Sequence, residues 1–145
     1  MHGHSLFGFA AAALIVGSLA GGPPPAYAEM LSFKATLNGA SEVPPNSTTG
    51  SGQGTLEFDT ATKQLKWTIT YGGLTGAAAA AHIHGPAAAG ANAAPIIPFA
   101  NAASPIAGSA TLTDAQVADL MAGRLYVNIH TASNRPGEIR GQIAR

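Results

Sequence analysis

The sequence predicts an all-β domain, a Greek-key-like β-barrel or sandwich with one short helix. Three observations support this prediction. Short segments alternate apolar and polar residues, turn-forming residues separate these segments at regular intervals, and one segment, residues 113–123, has helical periodicity. A length of 145 residues indicates one domain, and no internal repeat is visible.

In the first half of the chain, the alternation predicts strands at residues 31–37, 54–59 and 64–71. The last two strands form the clearest hairpin, joined by the turn "DTATKQ". The alanine-rich segment 77–84 has no polar face and ends at Gly85-Pro86. We therefore predict a strand there that is buried on both faces.

The second half begins with an irregular loop, residues 85–105, interrupted by "PIIPF"; loops of this length are typical of function or mobility. Residues 106–113 return to the sheet, and residues 125–131 and 138–145 predict a closing hairpin. A helix is predicted at residues 113–123, between the segments 106–113 and 125–131. Thr113 and Gln116 form its capping box, and Gly123 is its stop signal. Its buried stripe consists of Val117, Leu120 and Met121.

The N-terminal residues 1–28 predict a signal peptide. Residues 6–19 are an apolar run too short to span a bilayer comfortably, and Ala26-Tyr27-Ala28 has the small-x-small pattern of a cleavage site. The first residues contain no Lys or Arg, which leaves an uncleaved anchor or an upstream start open. We expect a mature domain of residues 29–145, periplasmic or secreted.

Composition excludes several classes of function. Seven basic and seven acidic residues, without runs of one sign, give no electrostatic footprint for nucleic acid or anionic membrane. The absence of cysteine excludes disulfides, zinc-thiolate sites and thiol nucleophiles. Hydrolase chemistry is disfavoured because no Gly-x-Ser-x-Gly is present and the carboxylates are scattered.

The pleat of the predicted strands brings the histidines of the mature domain to one surface. Successive side chains of a strand point to opposite faces, so His82 and His84 oppose Ile83, and His130 opposes Ile129. If the isoleucines are in the core, all three histidines are on the outer face. The partner strand sends Glu138, Arg140 and Gln142 to the same face.

A His-x-His pair on a strand is a natural chelating unit, because residues i and i+2 are about 7 Å apart at Cα. His82, His84 and His130 therefore predict a three-histidine metal site for copper, with zinc as the alternative. Glu42 and Glu138 are both candidates for a fourth ligand. In the competing interpretation, the histidines are ordinary surface residues, and Glu138 and Arg140 form a cross-strand or exposed ion pair.

Five segments carry a family resemblance: "ATLNGASEVPP", "GTLEFDTATKQLKWTITYGGLTG", "AHIHGPAAAG", "LTDAQVADLMAGRLYVNIHT" and "NRPGEIRGQI". Together they resemble the CHRD domain, named after chordin, from about residue 32 to residue 143. The resemblance implies an extracytoplasmic β-barrel or sandwich. In chordin such domains are modules of a secreted signalling antagonist, and single-domain bacterial members are common.

A weaker resemblance, at the level of the site, is to copper-zinc superoxide dismutases. There, too, a His-x-His pair lies on a barrel strand, and His82 and His84 resemble this pair while His130 resembles the late-strand ligand. Arg135 or Arg140 would then be the catalytic arginine that attracts the anion. This chain departs from that pattern because it has no bridging histidine, no second ligand set for zinc and no disulfide.

Three functions follow as hypotheses. The first, which we favour, is an exported copper-binding protein that could dismutate superoxide by Cu(II)/Cu(I) cycling. The second is a metal carrier without turnover, and the third is a metal-free extracellular interaction module.

Overall fold

The computed structural model describes residues 27–145, which form one antiparallel sheet of eight strands. The strands are β1 (Met30–Asn38), β2 (Ser51–Asp59), β3 (Gln64–Gly72), β4 (Ala78–His84), β5 (Pro95–Pro98), β6 (Ile106–Thr111), β7 (Tyr126–Thr131) and β8 (Ile139–Gln142). A 3₁₀ turn follows β1, and one α-helix, α1 (Asp114–Met121), precedes β7. The predicted all-β class with a single short helix is confirmed.

The sheet has the order β5-β4-β7-β8-β1-β2-β3-β6 and curls into a nearly closed barrel. Residues that follow the edge strand β5 contact β3, which is the neighbour of the other edge strand, β6. Phe99, just after β5, packs against Trp67 of β3 with ring centroids 4.9 Å apart. The Tyr71 hydroxyl donates to the Ala102 carbonyl at 2.6 Å.

The hydrophobic core fills the inside of this barrel, as the alternating sequence requires. In β1 every second residue is buried, from Leu31 to Leu37, and β2 and β3 repeat the pattern. The predicted hairpin of β2 and β3 and the closing hairpin of β7 and β8 are both confirmed. Beneath the histidines, Ile83, Val127 and Ile129 are completely buried.

Two details of packing differ from the predictions. Segment β4 is a strand as predicted, but burial on both faces is wrong: Ala79 is exposed and Ala80 is half-buried. The reason is that Ala79 lies in a β-bulge and that β5 pairs only with residues 82–84, so the start of β4 has a neighbouring strand on one side only. In α1 the capping box of Thr113 is confirmed. The predicted buried stripe is only partly confirmed, because Leu120 is the one buried residue of this two-turn helix and Met121 is 41% exposed.

Strand β5 lies inside the segment predicted as an irregular loop. The strand consists of the four residues "PIIP", three of which pair with β4, and Ile97 is opposite Ile83. Proline removes a backbone donor but is tolerated at a sheet edge, where one side of the strand needs no partner. The short apolar stretch between two prolines therefore becomes an edge strand.

The predicted signal peptide, residues 1–28, lies outside the described residues except for Tyr27 and Ala28. Among residues 27–145, no helix has the length and apolar character needed to cross a membrane.

Glu138, at the start of β8, is completely buried and joins three segments of chain. Its carboxylate accepts hydrogen bonds from the hydroxyls of Thr48 and Thr131 at 2.6 Å, and from the amide and hydroxyl of Thr75 at 2.7 Å. The Asn134 amide adds another at 3.2 Å. Burial by itself would raise the pKa of Glu138, but the hydrogen bonds from Thr131, Thr48 and Thr75 prevail and lower the pKa to about 2.

The alternative of an exposed ion pair between Glu138 and Arg140 is wrong. Both side chains are buried, and the bonds of Glu138 go to hydroxyl and amide groups instead. Glu138 therefore holds loops together and stands apart from the histidines.

We predict that Glu138→Gln lowers the free energy of unfolding by about 1–3 kcal/mol, because an amide cannot accept on both atoms and leaves buried donors unpaired. Because the pKa of Glu138 is lowered in the folded state, its charged form stabilises the fold at pH values above the ordinary carboxyl pKa, and this stabilisation is lost as pH falls towards 2. Denaturant unfolding between pH 7 and pH 2.5 should therefore show a weaker acid dependence in the variant. The exposed Glu57→Gln is the matched control; equal stability of both variants would contradict the role of Glu138.

Candidate metal centre

Strand pairing arranges the outer-face side chains of β4, β7 and β8 in rows. Residues directly opposite each other on paired strands project to the same face. The rows, read from β4 to β8, are His84–Tyr126–Gln142, His82–Asn128–Arg140 and the pair Ala80–His130. We call the surface formed by these side chains the histidine face.

The three predicted ligands converge on the histidine face. One ring nitrogen from each of His82, His84 and His130 can be chosen so that all three lie within 4.8 Å of one another. The ring centroids are 5.0–5.6 Å apart. His84 is 7% exposed and lies deepest, while His82 and His130 are half-buried. The three histidines form a group that could hold a metal ion.

Backbone carbonyls fix the orientation of two of the imidazoles. The Ala93 carbonyl accepts from Nδ1 of His84 at 2.9 Å, and the Arg135 carbonyl accepts from Nδ1 of His130 at 2.8 Å. Because a carbonyl can only accept, each Nδ1 carries the proton and each Nε2 presents a lone pair. Metal-binding histidines are oriented by the same kind of hydrogen bond.

The two available Nε2 atoms have different surroundings. Nε2 of His130 lies 3.1 Å from Nδ1 of His82. Nε2 of His84 is buried and has no hydrogen-bond partner within residues 27–145. A buried polar atom without a partner is costly, and a metal ion would satisfy it.

The protonation of the site favours ligand binding. Burial lowers the pKa of His82, and the neighbouring His130 lowers it further. Burial also lowers the pKa of His84, against the opposing hydrogen bond to Ala93. At neutral pH both rings are therefore uncharged, the form that binds metals.

Three imidazoles suit copper or zinc, which bind histidine nitrogen at about 2.0–2.1 Å. Such distances place two ligand atoms of one ion at most about 4 Å apart, so the three nitrogens, which lie within 4.8 Å of one another, would move closer together to share one ion. Neither Glu42 nor Glu138 belongs to the group of ligand atoms. The described residues thus supply three nitrogen ligands, with His82 and His130 on the side facing solvent.

Tyr126 belongs to the site, although the sequence indicated only the face on which it lies. Its ring stacks on His84 at 5.0 Å between centroids, with planes 19° apart. Its hydroxyl donates to the Ala93 carbonyl at 3.1 Å and accepts from the Ala93 amide at 3.0 Å. The available signal was that Tyr126 lies on the same face of its strand as His130, but the contact with Ala93 depends on the path of the loop between β4 and β5.

The two arginines predicted to attract an anion have different environments. Arg140 is 1% exposed, with Cζ 3.4 Å from the centroid of the Tyr126 ring, and it donates to Asn92 Oδ1 and the Ala91 carbonyl. Arg135 is exposed and lies in the turn whose carbonyl orients His130. Their catalytic roles stay predictions.

Glu42 and Asn128 are two further buried polar residues near the histidines. Oε1 of Glu42 and Oδ1 of Asn128 have no hydrogen-bond partner in the described part of the chain. Both lie against Gly137, whose φ of 145° and tight surroundings admit only glycine. Burial raises the pKa of Glu42 to about 7, although Arg140 and Asn128 oppose the shift. A protonated Glu42 gains an O–H donor near Oδ1 of Asn128, which otherwise lacks a partner in the described residues.

We predict that Glu42→Gln stabilises the domain at pH 8 by roughly 1–3 kcal/mol and has a smaller effect at pH 5. The unfolded chain loses this proton near pH 4.5, whereas the folded chain holds it to about 7. Stability therefore falls as pH rises between these values, and glutamine removes that loss. Thermal unfolding at both pH values measures the effect; a variant less stable than wild type at pH 8 would show that the Arg140 attraction dominates.

Comparison with known proteins gives one match. The CHRD domain family model matches residues 33–143, in agreement with the resemblance seen in the sequence motifs. No curated protein and no solved structure matches the chain significantly. Because the match spans most of its length, the chain belongs to the CHRD domain family.

Proposed function

We propose that this chain is an exported copper-binding protein whose ligands are His82, His84 and His130. The observation that carries the proposal is the convergence of these three side chains, one of which, His84, has a buried Nε2 without a partner in the described residues. Backbone carbonyls already hold two of the rings in the tautomer that a metal requires. Preorganised ligands bind more tightly because less ordering is needed on binding.

The arrangement favours redox turnover over storage. Structural metal sites are usually closed by four protein ligands, whereas catalytic sites keep a position open. The group here has three ligands, and two of them are half-buried rather than enclosed. We therefore propose superoxide dismutation as the activity, in line with the site-level resemblance to copper-zinc superoxide dismutases.

When bound, copper would supply one-electron chemistry: one superoxide is oxidised to O₂, and a second takes up an electron and two protons to give H₂O₂. The protein would hold the ion through the three imidazoles and admit the anion on the solvent side. Arg135 is the exposed cation of the turn beside His130 and would attract superoxide electrostatically.

We predict that the purified protein binds one Cu(II) with a nitrogen-rich type 2 paramagnetic spectrum and no blue absorption, since the chain has no cysteine. His82→Ala and His130→Ala should each weaken copper binding at least about 100-fold, because two imidazoles remain where three were available. Both residues are half-buried, so circular dichroism should show an intact fold. Chelator competition with copper and with zinc measures the affinities.

The matched control is Thr70→Ala, which truncates an exposed side chain of β3 and leaves the three histidines in place. It should bind copper as the wild type does. Wild-type affinity in His82→Ala or His130→Ala would contradict the proposed site. A superoxide assay on the loaded protein then separates a dismutase from a carrier, which binds copper without turnover.

Export is the other part of the proposal. We predict that the intact mass of protein recovered from the periplasm or medium corresponds to residues 29–145, after cleavage following Ala28. Exported protein that still contains residues 1–28 would contradict the predicted cleavage.

A further inference from the structure

The loop of residues 85–94, between β4 and β5, provides the carbonyl that orients the deepest histidine. When Nδ1 of His84 donates its proton to the Ala93 carbonyl, the lone pair of Nε2 is available to a metal. Ala93 lies outside the strands, so the sheet's own hydrogen bonds do not hold it. Other contacts must therefore keep this carbonyl in place.

Tyr126 holds the Ala93 peptide from a rigid strand. Its hydroxyl bonds to both the amide and the carbonyl of Ala93, and its ring stacks on the imidazole that the same carbonyl orients. The side chain is 1% exposed. One residue of β7 thus fixes both the histidine ring and the acceptor of its proton.

Arg140 of β8 holds the two residues that precede Ala93. Its guanidinium donates to the Ala91 carbonyl at 2.7 Å and to Asn92 Oδ1 at 3.2 Å. The Asn92 amide in turn donates to the Val43 carbonyl at 3.0 Å. Because β7 lies between β4 and β8, the ring of Tyr126 is placed between His84 and the guanidinium, which it contacts face-on.

We propose that Tyr126 and Arg140 are positioning residues for the metal centre: by fixing the 91–93 segment they hold His84 in the tautomer that presents Nε2 to the metal. Neither residue needs to touch the ion. Their effect passes through the Ala93 carbonyl, and removing such an outer contact typically costs about 10- to 100-fold in metal affinity. The inference rests on the proposed metal site, but its structural part concerns the metal-free protein.

The test uses Tyr126→Phe, which keeps the stacked ring and removes the hydroxyl. The matched control is Tyr71→Phe, because Tyr71 of β3 also donates its hydroxyl to a loop carbonyl, but to that of Ala102 in the β5–β6 connection rather than to the 91–93 segment. In metal-free protein, long-range ¹H–¹⁵N spectra of the histidine rings report the tautomer of each ring. We expect His84 to be in the Nδ1–H form in wild type and Tyr71→Phe, and to become a mixture in Tyr126→Phe.

Copper affinity, measured by chelator competition, should fall about 10- to 100-fold in Tyr126→Phe and less than twofold in Tyr71→Phe. Arg140→Lys should lower affinity in the same direction, since an ammonium keeps the charge but lacks the planar fork that spans Ala91 and Asn92. An unchanged His84 tautomer together with wild-type affinity in Tyr126→Phe would overturn the proposal.

The tautomer measurement separates this inference from the proposed function. If the wild type binds no copper but Tyr126→Phe still disturbs His84, the metal site fails and the positioning of His84 stands. If the wild type binds copper and Tyr126→Phe leaves both tautomer and affinity unchanged, the metal site stands and the positioning role fails.

Discussion

Strand β7 is hydrogen-bonded to β4 on one side and to β8 on the other, and its side chains alternate between the core and the histidine face. Val127 and Ile129 are completely buried inside the barrel, which forces Tyr126, Asn128 and His130 to the opposite side. A slip of one residue would exchange the two faces and bury polar groups in the apolar core. Hydrophobic burial thus fixes the register that aligns the histidines.

The outer face of these strands is a second, polar interior rather than an open surface. Loops cover it, and a buried loop must find partners for its backbone groups. Side chains of the sheet provide them: Tyr126 and Arg140 bind the 91–93 segment, and the Gln142 amide donates to the carbonyls of Ala87 and Gly123. Gly85 allows the start of the loop to lie close to the residue before β7, since a Cβ at this position would clash with the side chain of Leu125.

Two buried glutamates show how the same side chain takes opposite roles. Glu138 accepts hydrogen bonds from hydroxyl and amide groups at both carboxylate oxygens, and such hydrogen bonds favour the charged form of a carboxyl group. Glu42 is also buried, but its Oε1 has no partner in the described residues, so the neutral form is favoured. Glu42 lies in "ATLNGASEVPP" and Glu138 in "NRPGEIRGQI", and neither segment by itself indicates which of the two carboxyl groups is charged.

The sequence by itself determined the alternation of the strands, the placement of Ile83 and Ile129 in the core and therefore the common face of the three histidines. It could do so because the pleat of a strand is a local property with a period of two residues. Only the tertiary structure decided that β4 pairs with β7, that "PIIP" becomes an edge strand, and that the Ala93 carbonyl meets both His84 and Tyr126. These outcomes depend on contacts between distant parts of the chain, which no local pattern encodes.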